Sequence, residues 1–211
     1  MLALRVMVAG IGTDVGKTVV SAVLTTALQG DYWKPIQCGS EELSDSNAMK
    51  QLLDPSKHCI HTPSYSLPMP CSPHQAARFA NVRIDPCAIQ PPVTDRPLII
   101  EGVGGICVPL DEEVLTLDLF QGWNCIWVVV SKNYLGSINH TLLTIDVLKN
   151  RSIPLLGLVF NGEANKEAES VILKMTNLPM LGRMLLERKI NFNTIQRYAE
   201  QWSPQMTRLI H

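Results

Sequence analysis

A glycine-rich segment near the amino terminus constrains this chain more than any other feature of its sequence. Residues 10–18 read Gly-Ile-Gly-Thr-Asp-Val-Gly-Lys-Thr, directly after an apolar run at 4–10 and at the start of an amphipathic stretch at 17–29. Glycines allow a tight backbone turn that points N–H groups at phosphates, beside the positive end of a helix. The segment therefore predicts a strand, a phosphate-binding loop and a helix, in that order.

The loop is one residue wider than the usual phosphate loop, because five residues instead of four separate its outer glycines. Lys17 is predicted to hold the β- and γ-phosphates of ATP, and the Thr18 hydroxyl to ligate Mg²⁺. The other predicted nucleotide contacts of the loop are Gly12, Thr13, Asp14, Val15 and Gly16. A chance Gly-Lys-Thr after a glycine turn is the alternative, and the strand–loop–helix context argues against it.

Asp14 has two interpretations. A carboxylate inside a phosphate-binding loop is repelled by the phosphates unless it faces a substrate cation or a metal. Aspartate is also common in turns, so Asp14 can serve the backbone instead.

Short apolar runs alternate with longer amphipathic stretches along the rest of the chain. Strands are predicted at 4–10, 32–36, 97–101, 125–130 and 154–160, with a weaker one at 179–184, and helices at 17–29, 46–53, 114–122, 138–150, 165–176 and 191–202. Continuous apolar strands are typical of a parallel sheet buried on both faces. We expect one α/β domain over residues 1–211, with a doubly wound, mainly parallel sheet flanked by helices. The proline-rich segment 54–96 is expected to be loop-rich, with one helix at 73–80.

Composition excludes several classes of function. The chain has 211 residues, 46% of them hydrophobic, and a formal net charge of -1, so no basic surface is expected to bind nucleic acid. It has six cysteines without a Cys-x-x-Cys pair, which favours reduced thiols in the cytoplasm. No apolar segment reaches the length of a membrane span, so no membrane partner is expected.

Six short segments together indicate a family. In chain order they are Thr-Asp-Val-Gly-Lys-Thr (13–18), Tyr-Trp-Lys-Pro-Ile-Gln-Cys-Gly-Ser (32–40), Ser-Pro-His (72–74), Glu-Gly-Val-Gly-Gly (101–105), Leu-Gly-Ser-Ile-Asn-His (135–140) and Val-Phe-Asn (159–161). The first segment is shared with many nucleotide hydrolases, but the set resembles dethiobiotin synthetases. That resemblance implies the conversion of 7,8-diaminopelargonic acid, CO₂ and Mg-ATP to dethiobiotin, ADP and phosphate, through a carbamate and a carbamic-phosphoric anhydride. It also implies a homodimer.

Two charged residues at strand ends are the main catalytic candidates besides the loop. By resemblance Lys34 holds the carbamate, with Lys17 and Thr13 completing the catalytic set; an ordinary solvated lysine is the alternative for Lys34. Glu101 ends a buried strand, where a carboxylate is costly unless it meets a metal or a donor. We therefore expect Glu101 to ligate Mg²⁺, although a carboxylate that merely starts a loop remains possible.

The resemblance assigns further contacts. Cys38, Gly104 and Asn139 are implied in substrate binding, Asn139 from a neighbouring subunit, although residues 137–140 also suit a simple helix start. Asn161 is implied in reading adenine, because an amide offers both a donor and an acceptor; the alternative is a turn residue at a strand end.

Three features depart from the family pattern. Cys38 stands where a serine or threonine often contacts substrate, and the family's proline after Gly-x-Ile is absent at residues 182–185. The remaining Mg²⁺ ligand is Asp45 or Asn47, depending on the register of the second helix; we favour Asp45, because a carboxylate binds Mg²⁺ more strongly than an amide. The alternative functions are a P-loop ATPase of the ParA and MinD type, or a nucleotide-binding module without catalysis.

Overall fold

The computed structural model describes residues 3–40, 42 and 44–210, and a parallel sheet forms its centre. Seven strands lie side by side in the order β4-β2-β6-β1-β7-β8-β9, and all their pairings are parallel. A second, two-stranded parallel sheet joins β3 and β5. The strands are β1 Arg5–Gly10, β2 Asp31–Trp33, β3 Ile36–Cys38, β4 Ile60–His61, β5 Tyr65–Leu67, β6 Leu98–Glu101, β7 Ile126–Lys132, β8 Leu155–Asn161 and β9 Met180–Met184.

Helices connect the strands. They are α1 Lys17–Ala27, α2 Asp45–Leu52, α3 Pro73–Phe79, α4 Thr116–Phe120, α5 Ser137–Asn150, α6 Lys166–Thr176 and α7 Phe192–Ile210, with short 3₁₀ turns at Pro86–Ala88 and Gln121–Trp123. Strand β1 lies between β6 and β7, and its residues 6–10 are all buried. The predicted fold class, an α/β domain with a parallel sheet flanked by helices, is confirmed.

The predicted strand at 32–36 is instead two strands in different sheets. Strand β2 ends at Trp33 and β3 begins at Ile36, so Lys34 and Pro35 form the link between the sheets. Proline has no N–H for a strand ladder, which explains why pairing with the main sheet ends here. The break places Lys34 at the carboxyl edge of the main sheet.

The segment 54–96 contains more regular structure than predicted. The helix expected at 73–80 is present as α3, but strands β4 and β5 were missed. They are two and three residues long, which is too short for hydrophobic periodicity to reveal. Strand β4 extends the edge of the main sheet, and β5 pairs with β3 beside the site described below.

The last helix also differs from its prediction at 191–202. It continues to Ile210 with Pro204 inside it, whereas a proline in a helical pattern predicts an end at the preceding residue. Among residues 3–40, 42 and 44–210, no helix combines the length and hydrophobicity needed to cross a membrane.

Candidate active site

The glycine-rich loop connects β1 to α1 as predicted. Gly16 adopts a positive φ of 93° and caps α1, which begins at Lys17. The Lys17 ammonium donates to the Gly12 carbonyl at 2.8 Å. The Asn161 amide, at the end of β8, donates to the Val15 carbonyl at 2.9 Å. Two side-chain hydrogen bonds, from Lys17 and Asn161, therefore hold the loop, which lies at the carboxyl edge of the sheet.

Thr18 brings two carboxylates together. Its hydroxyl oxygen lies 2.6 Å from Oδ1 of Asp45 and 2.9 Å from Oε1 of Glu101. These carboxylates belong to different elements, since Asp45 starts α2 and Glu101 ends β6. Residues far apart in the sequence thus place three oxygen-bearing side chains at one point.

Lys34 joins the same cluster. Its ammonium lies 3.0 Å from Oε1 of Glu101 and forms an ion pair with Oδ2 of Asp45. Burial opposes the charge on Lys34, but the carboxylates of Glu101 and Asp45 outweigh that effect and raise the lysine pKa. Burial likewise opposes the charge on Asp45, and Lys34 outweighs it, so the Asp45 pKa is lowered. The interpretation of Lys34 as a solvated lysine is wrong, because only 5% of the residue is exposed.

Lys17 has a different electrostatic environment. It is also buried, but its ammonium bonds a carbonyl and not a carboxylate. Burial consequently lowers the Lys17 pKa to about 8, despite the more distant charge of Glu101. A phosphate at this loop would supply the compensating negative charge. The two lysines therefore have different partners: Lys34 is paired with two carboxylates, and Lys17 donates to a backbone carbonyl of the loop.

The structure distinguishes between the two registers of α2. The Ser44 hydroxyl caps the helix by accepting from the backbone N–H of Asn47 at 3.2 Å, and the backbone N–H of Asp45 donates to Oε1 of Gln37 at 3.1 Å. These bonds direct the Asp45 carboxylate to Thr18. The amide oxygen of Asn47 accepts instead from Lys50 at 3.0 Å. Asp45, and not Asn47, lies beside Thr18.

A cleft of about 710 Å³ is lined by the lysines, hydroxyl and carboxylates described so far, namely Lys17, Thr18, Lys34, Asp45 and Glu101. Thr13, Asp14, Cys38 and Gly104 also border it. Asp14 has a positive φ of 57°, as residues in tight turns do, and it also borders the cleft. Burial raises the pKa of the Cys38 thiol to about 11, and the nearby thiol of Cys71 contributes. At neutral pH Cys38 therefore presents a neutral thiol to the cleft, a poorer hydrogen-bond partner than a hydroxyl.

Asn139 lies apart from this cluster. It is exposed in the first turn of α5 and does not belong to the described residues that border the cleft. The structure thus brings together the predicted residues on the loop, in the link after β2, on α2 and at the end of β6, but not this one. Asn161 is also outside the described residues that border the cleft, and its amide contacts the loop at the Val15 carbonyl.

Two residues of the site were missed by the sequence analysis. The phenol of Tyr32 donates to Oε2 of Glu101 at 2.8 Å, and Gln37 receives the Asp45 N–H. Burial and the Glu101 charge raise the Tyr32 pKa well above its usual value, so the phenol remains a donor. A signal existed for Tyr32, because residues two apart on a strand share a face and Tyr32 precedes Lys34 by two.

The cluster has the chemistry of a magnesium site. Mg²⁺ prefers oxygen ligands and usually takes one or two carboxylates together with substrate phosphates. Asp45 and Glu101 supply two carboxylates, each within hydrogen-bond distance of the Thr18 hydroxyl, next to the phosphate-binding loop. Within the described part of the chain there is no group of three or more His, Cys, Asp or Glu side chains suited to a metal. The residues fit Mg²⁺ carried in with a nucleotide.

Comparison with known proteins identifies the family. A family model described as an AAA domain matches residues 4–193. The ATP-dependent dethiobiotin synthetase BioD of Chlamydia felis is 45% identical over 199 residues, which covers 94% of each chain. The ATP-dependent dethiobiotin synthetase BioD of Cytophaga hutchinsonii is 47% identical over 196 residues, which covers 92% of this chain and 95% of the relative. This chain belongs to the dethiobiotin synthetase family.

Family membership confirms the resemblance inferred from six short segments, and extends it over nearly the whole length. A solved structure of the cell division ATPase MinD from Pyrococcus furiosus also matches this synthetase family member, with a TM-score of 0.59 and 16% identity. That match covers 97% of this chain and 100% of the other. At such low identity the likeness concerns the fold alone, and it agrees with the doubly wound sheet described above.

Proposed function

We propose that the chain is an enzyme that makes dethiobiotin from 7,8-diaminopelargonic acid and CO₂ at the expense of ATP. One substrate amine captures CO₂ as a carbamate, and a carbamate oxygen attacks the γ-phosphate to give a mixed anhydride. The second amine then attacks the anhydride carbon, which closes the ureido ring and expels phosphate. Family membership supports the reaction, and the buried contact of Lys34 with Glu101 and Asp45 carries its assignment to this cleft.

Phosphoryl transfer depends on positioning and fixed charge more than on covalent chemistry of the protein. Lys17, with its pKa lowered to about 8 by burial, binds the β- and γ-phosphates, whose negative charge favours its protonated form. Thr18, Asp45 and Glu101 would hold Mg²⁺, and the bound ion would supply positive charge to offset the negative charge of the phosphates. These residues keep ATP at the carboxyl edge of the sheet.

Lys34 binds the carbamate. Its ammonium lies at the same point as the proposed magnesium ligands, so an anion bound to it is next to the γ-phosphate. Lys34 stays protonated, because Glu101 and Asp45 raise its pKa against the effect of burial. The lysine therefore acts as a fixed cation that orients the carbamate oxygen and does not transfer protons.

The remaining contacts determine which molecules bind. We assign the adenine edge to Asn161 and contacts with the diamine substrate to Cys38 and Gly104, which border the cleft. Gly104 has a positive φ of 59°, and a Cβ there would lie 3.0 Å from a methyl of Val108. A side chain at this position would strain the turn and narrow the cleft.

We also propose a homodimer in which Asn139 reaches the partner's substrate. The exposed start of α5 carries apolar side chains next to Asn139: Leu135 is fully exposed, and Leu143 is 56% exposed. Contiguous exposed apolar surface marks interaction sites more often than ordinary surface does. We place the enzyme in the cytoplasm, as one synthetase domain over residues 1–211 with small-molecule substrates.

Omission of substrates tests the function. Purified protein is given Mg-ATP, bicarbonate and 7,8-diaminopelargonic acid, with each left out in turn, while phosphate and dethiobiotin are measured. The proposal requires phosphate release that depends on every component, with one dethiobiotin formed per phosphate. Release that ignores the diamine would instead indicate an ATPase with another role, and ATP binding without release would indicate a module without catalysis.

A further inference from the structure

Tyr32 lies next to the carboxylate that ends β6. The tyrosine is completely buried in β2, which pairs with β6 so that Tyr32 is beside Ile99. Its phenol reaches along the sheet and donates to Oε2 of Glu101 at 2.8 Å. The contact thus joins two neighbouring strands at the edge where the cleft opens.

The two oxygens of Glu101 have different partners. Oε1 lies 2.9 Å from the Thr18 hydroxyl and 3.0 Å from the Lys34 ammonium, so it faces the cleft. Oε2 faces away from these groups and accepts from Tyr32. Since Glu101 is only 1% exposed, water cannot easily replace a lost donor.

We propose that Tyr32 is a positioning residue that holds Glu101 in the orientation needed to bind Mg²⁺. The proposal rests on the proposed function, because it assumes that Glu101 is a magnesium ligand. A tyrosine ring has few rotatable bonds, and here packing fixes it on all sides, so its hydroxyl sets the rotation of the carboxylate plane. With Oε2 held by the phenol, Oε1 is directed at the Thr18 hydroxyl, at the proposed metal site.

Without that donor the carboxylate would lose its orientation. A buried carboxylate oxygen without a partner is unfavourable, so the group would rotate to share its remaining contacts with Thr18 and Lys34. Rotation would present Oε1 poorly to a metal. Groups that hold a metal ligand in place typically contribute about 10–100-fold to metal affinity.

The chain offers a matched control in Tyr198. This tyrosine is 4% exposed, and its phenol donates to Oε1 of Glu187 at 2.7 Å. Tyr198 and Glu187 therefore form a second tyrosine–carboxylate hydrogen bond of similar length, but neither residue borders the cleft. Tyr32→Phe and Tyr198→Phe remove the same chemical group, and only the first acts at the proposed metal site.

The test measures metal affinity directly. Mn²⁺ replaces Mg²⁺ and is titrated by electron paramagnetic resonance in the presence of a non-hydrolysable ATP analogue. We expect Tyr32→Phe to weaken Mn²⁺ binding by about tenfold or more, and Tyr198→Phe to leave it within about twofold of the wild type. Binding of the analogue without metal should be the same in Tyr32→Phe and wild type. Equal Mn²⁺ affinities in the two variants would overturn the proposal.

A second measurement keeps the phenol at position 32. 3-Fluorotyrosine is placed at position 32 alone, and its ¹⁹F resonance is followed as Mg²⁺ is added to the protein with the ATP analogue. The resonance should shift with the same midpoint as metal binding, whereas a label at position 198 should not shift. A label at position 32 that does not respond to Mg²⁺ would overturn the proposal even if Tyr32→Phe fails to fold.

Failure of the proposed magnesium site and failure of the proposed Tyr32 role would give different results. If the wild type binds no Mn²⁺ with the nucleotide analogue, the proposed magnesium site is wrong, and the role of Tyr32 is wrong with it. If the wild type binds Mn²⁺ and Tyr32→Phe binds it equally well, only the positioning role is wrong.

Discussion

Lys34 and Glu101 form a buried ion pair, with Nζ of the lysine 3.0 Å from Oε1 of the glutamate. The register of the sheet explains the pair. Trp33 of β2 lies opposite Ile100 of β6, so Lys34 and Glu101, which follow them, are neighbours at the carboxyl edge of the sheet. The proposed cation for the carbamate and the proposed carboxylate for the metal thus lie side by side where these two paired strands end. The proposed chemistry depends on this relationship.

The phosphate-binding loop should not tolerate a side chain at Gly16. Its φ of 93° is unfavourable for other residues, and a Cβ there would lie 2.1 Å from Nδ2 of Asn161. We expect Gly16→Ala to destabilise the fold by about 1–2 kcal/mol from backbone strain alone and to abolish ATP binding, because Asn161 must move. Calorimetric titration with ATP and thermal unfolding measure the two effects.

Gly122→Ala is the control for that substitution. A Cβ at Gly122 meets nothing within 4 Å, so its unfolding free energy should change by less than about 0.5 kcal/mol. Normal ATP binding by Gly16→Ala would contradict the account of the loop.

Substitutions at Asp45 and Asn47 are expected to affect the Mg²⁺ requirement differently. Asp45→Asn removes one negative charge beside Thr18 and Lys34, so the Mg²⁺ concentration for half-maximal activity should rise by about tenfold or more. Asn47→Asp adds a carboxylate in the first turn of the same helix, where it suits the helix dipole, and should leave the Mg²⁺ requirement unchanged. Steady-state assays across Mg²⁺ concentrations distinguish them; a larger effect at position 47 would show that the other register of α2 is correct.

Much of this site was predictable from sequence, and the reasons are local. The spacing of glycines with Lys17 and Thr18 fixes the loop, and a charged residue after three apolar ones marks Glu101 at a strand end. The choice between Asp45 and Asn47 depends on where α2 begins, which the sequence pattern leaves open by two residues. The structure decides it through the Ser44 cap and the contact with Gln37.

The segments that were missed depend on long-range contacts. Strands β4 and β5 are too short for any period, and they form only because β2 and β3 offer them edges. The role of Tyr32 likewise depends on which strand lies beside β2. Strand order requires pairing information that a single sequence read locally does not contain.

The Cys38 thiol should react slowly with alkylating reagents. Only the thiolate is nucleophilic, and a pKa raised to about 11 by burial keeps the thiol protonated up to high pH. The alkylation rate at Cys38 should therefore rise about tenfold per pH unit between pH 7 and pH 10 without a plateau. Iodoacetamide labelling with mass spectrometry measures it, and exposed Cys87 serves as the reference for overall reactivity. A plateau below pH 9 would contradict this description of the cleft.

A charged substitution in the proposed dimer surface tests whether that surface is buried between two subunits. Leu135→Asp places a carboxylate at the fully exposed position before α5, and burial of that charge in an interface would be costly. We expect a monomer in light scattering after gel filtration, with loss of activity because Asn139 no longer reaches a partner. Leu186→Asp, at a position 69% exposed outside this surface, should leave the oligomeric state unchanged. A Leu135→Asp variant with the same molar mass as the wild type would place the interface elsewhere.

The path of one oxygen atom tests the central claim most directly. The reaction is run with ¹⁸O-labelled bicarbonate and 7,8-diaminopelargonic acid, and is stopped before the label exchanges with water. If a carbamate oxygen attacks the γ-phosphate, each phosphate released carries one ¹⁸O atom, and the ureido carbonyl of dethiobiotin keeps another. Phosphate without the label, formed at the same rate with or without the diamine, would show that water attacks ATP in this cleft and would contradict the account.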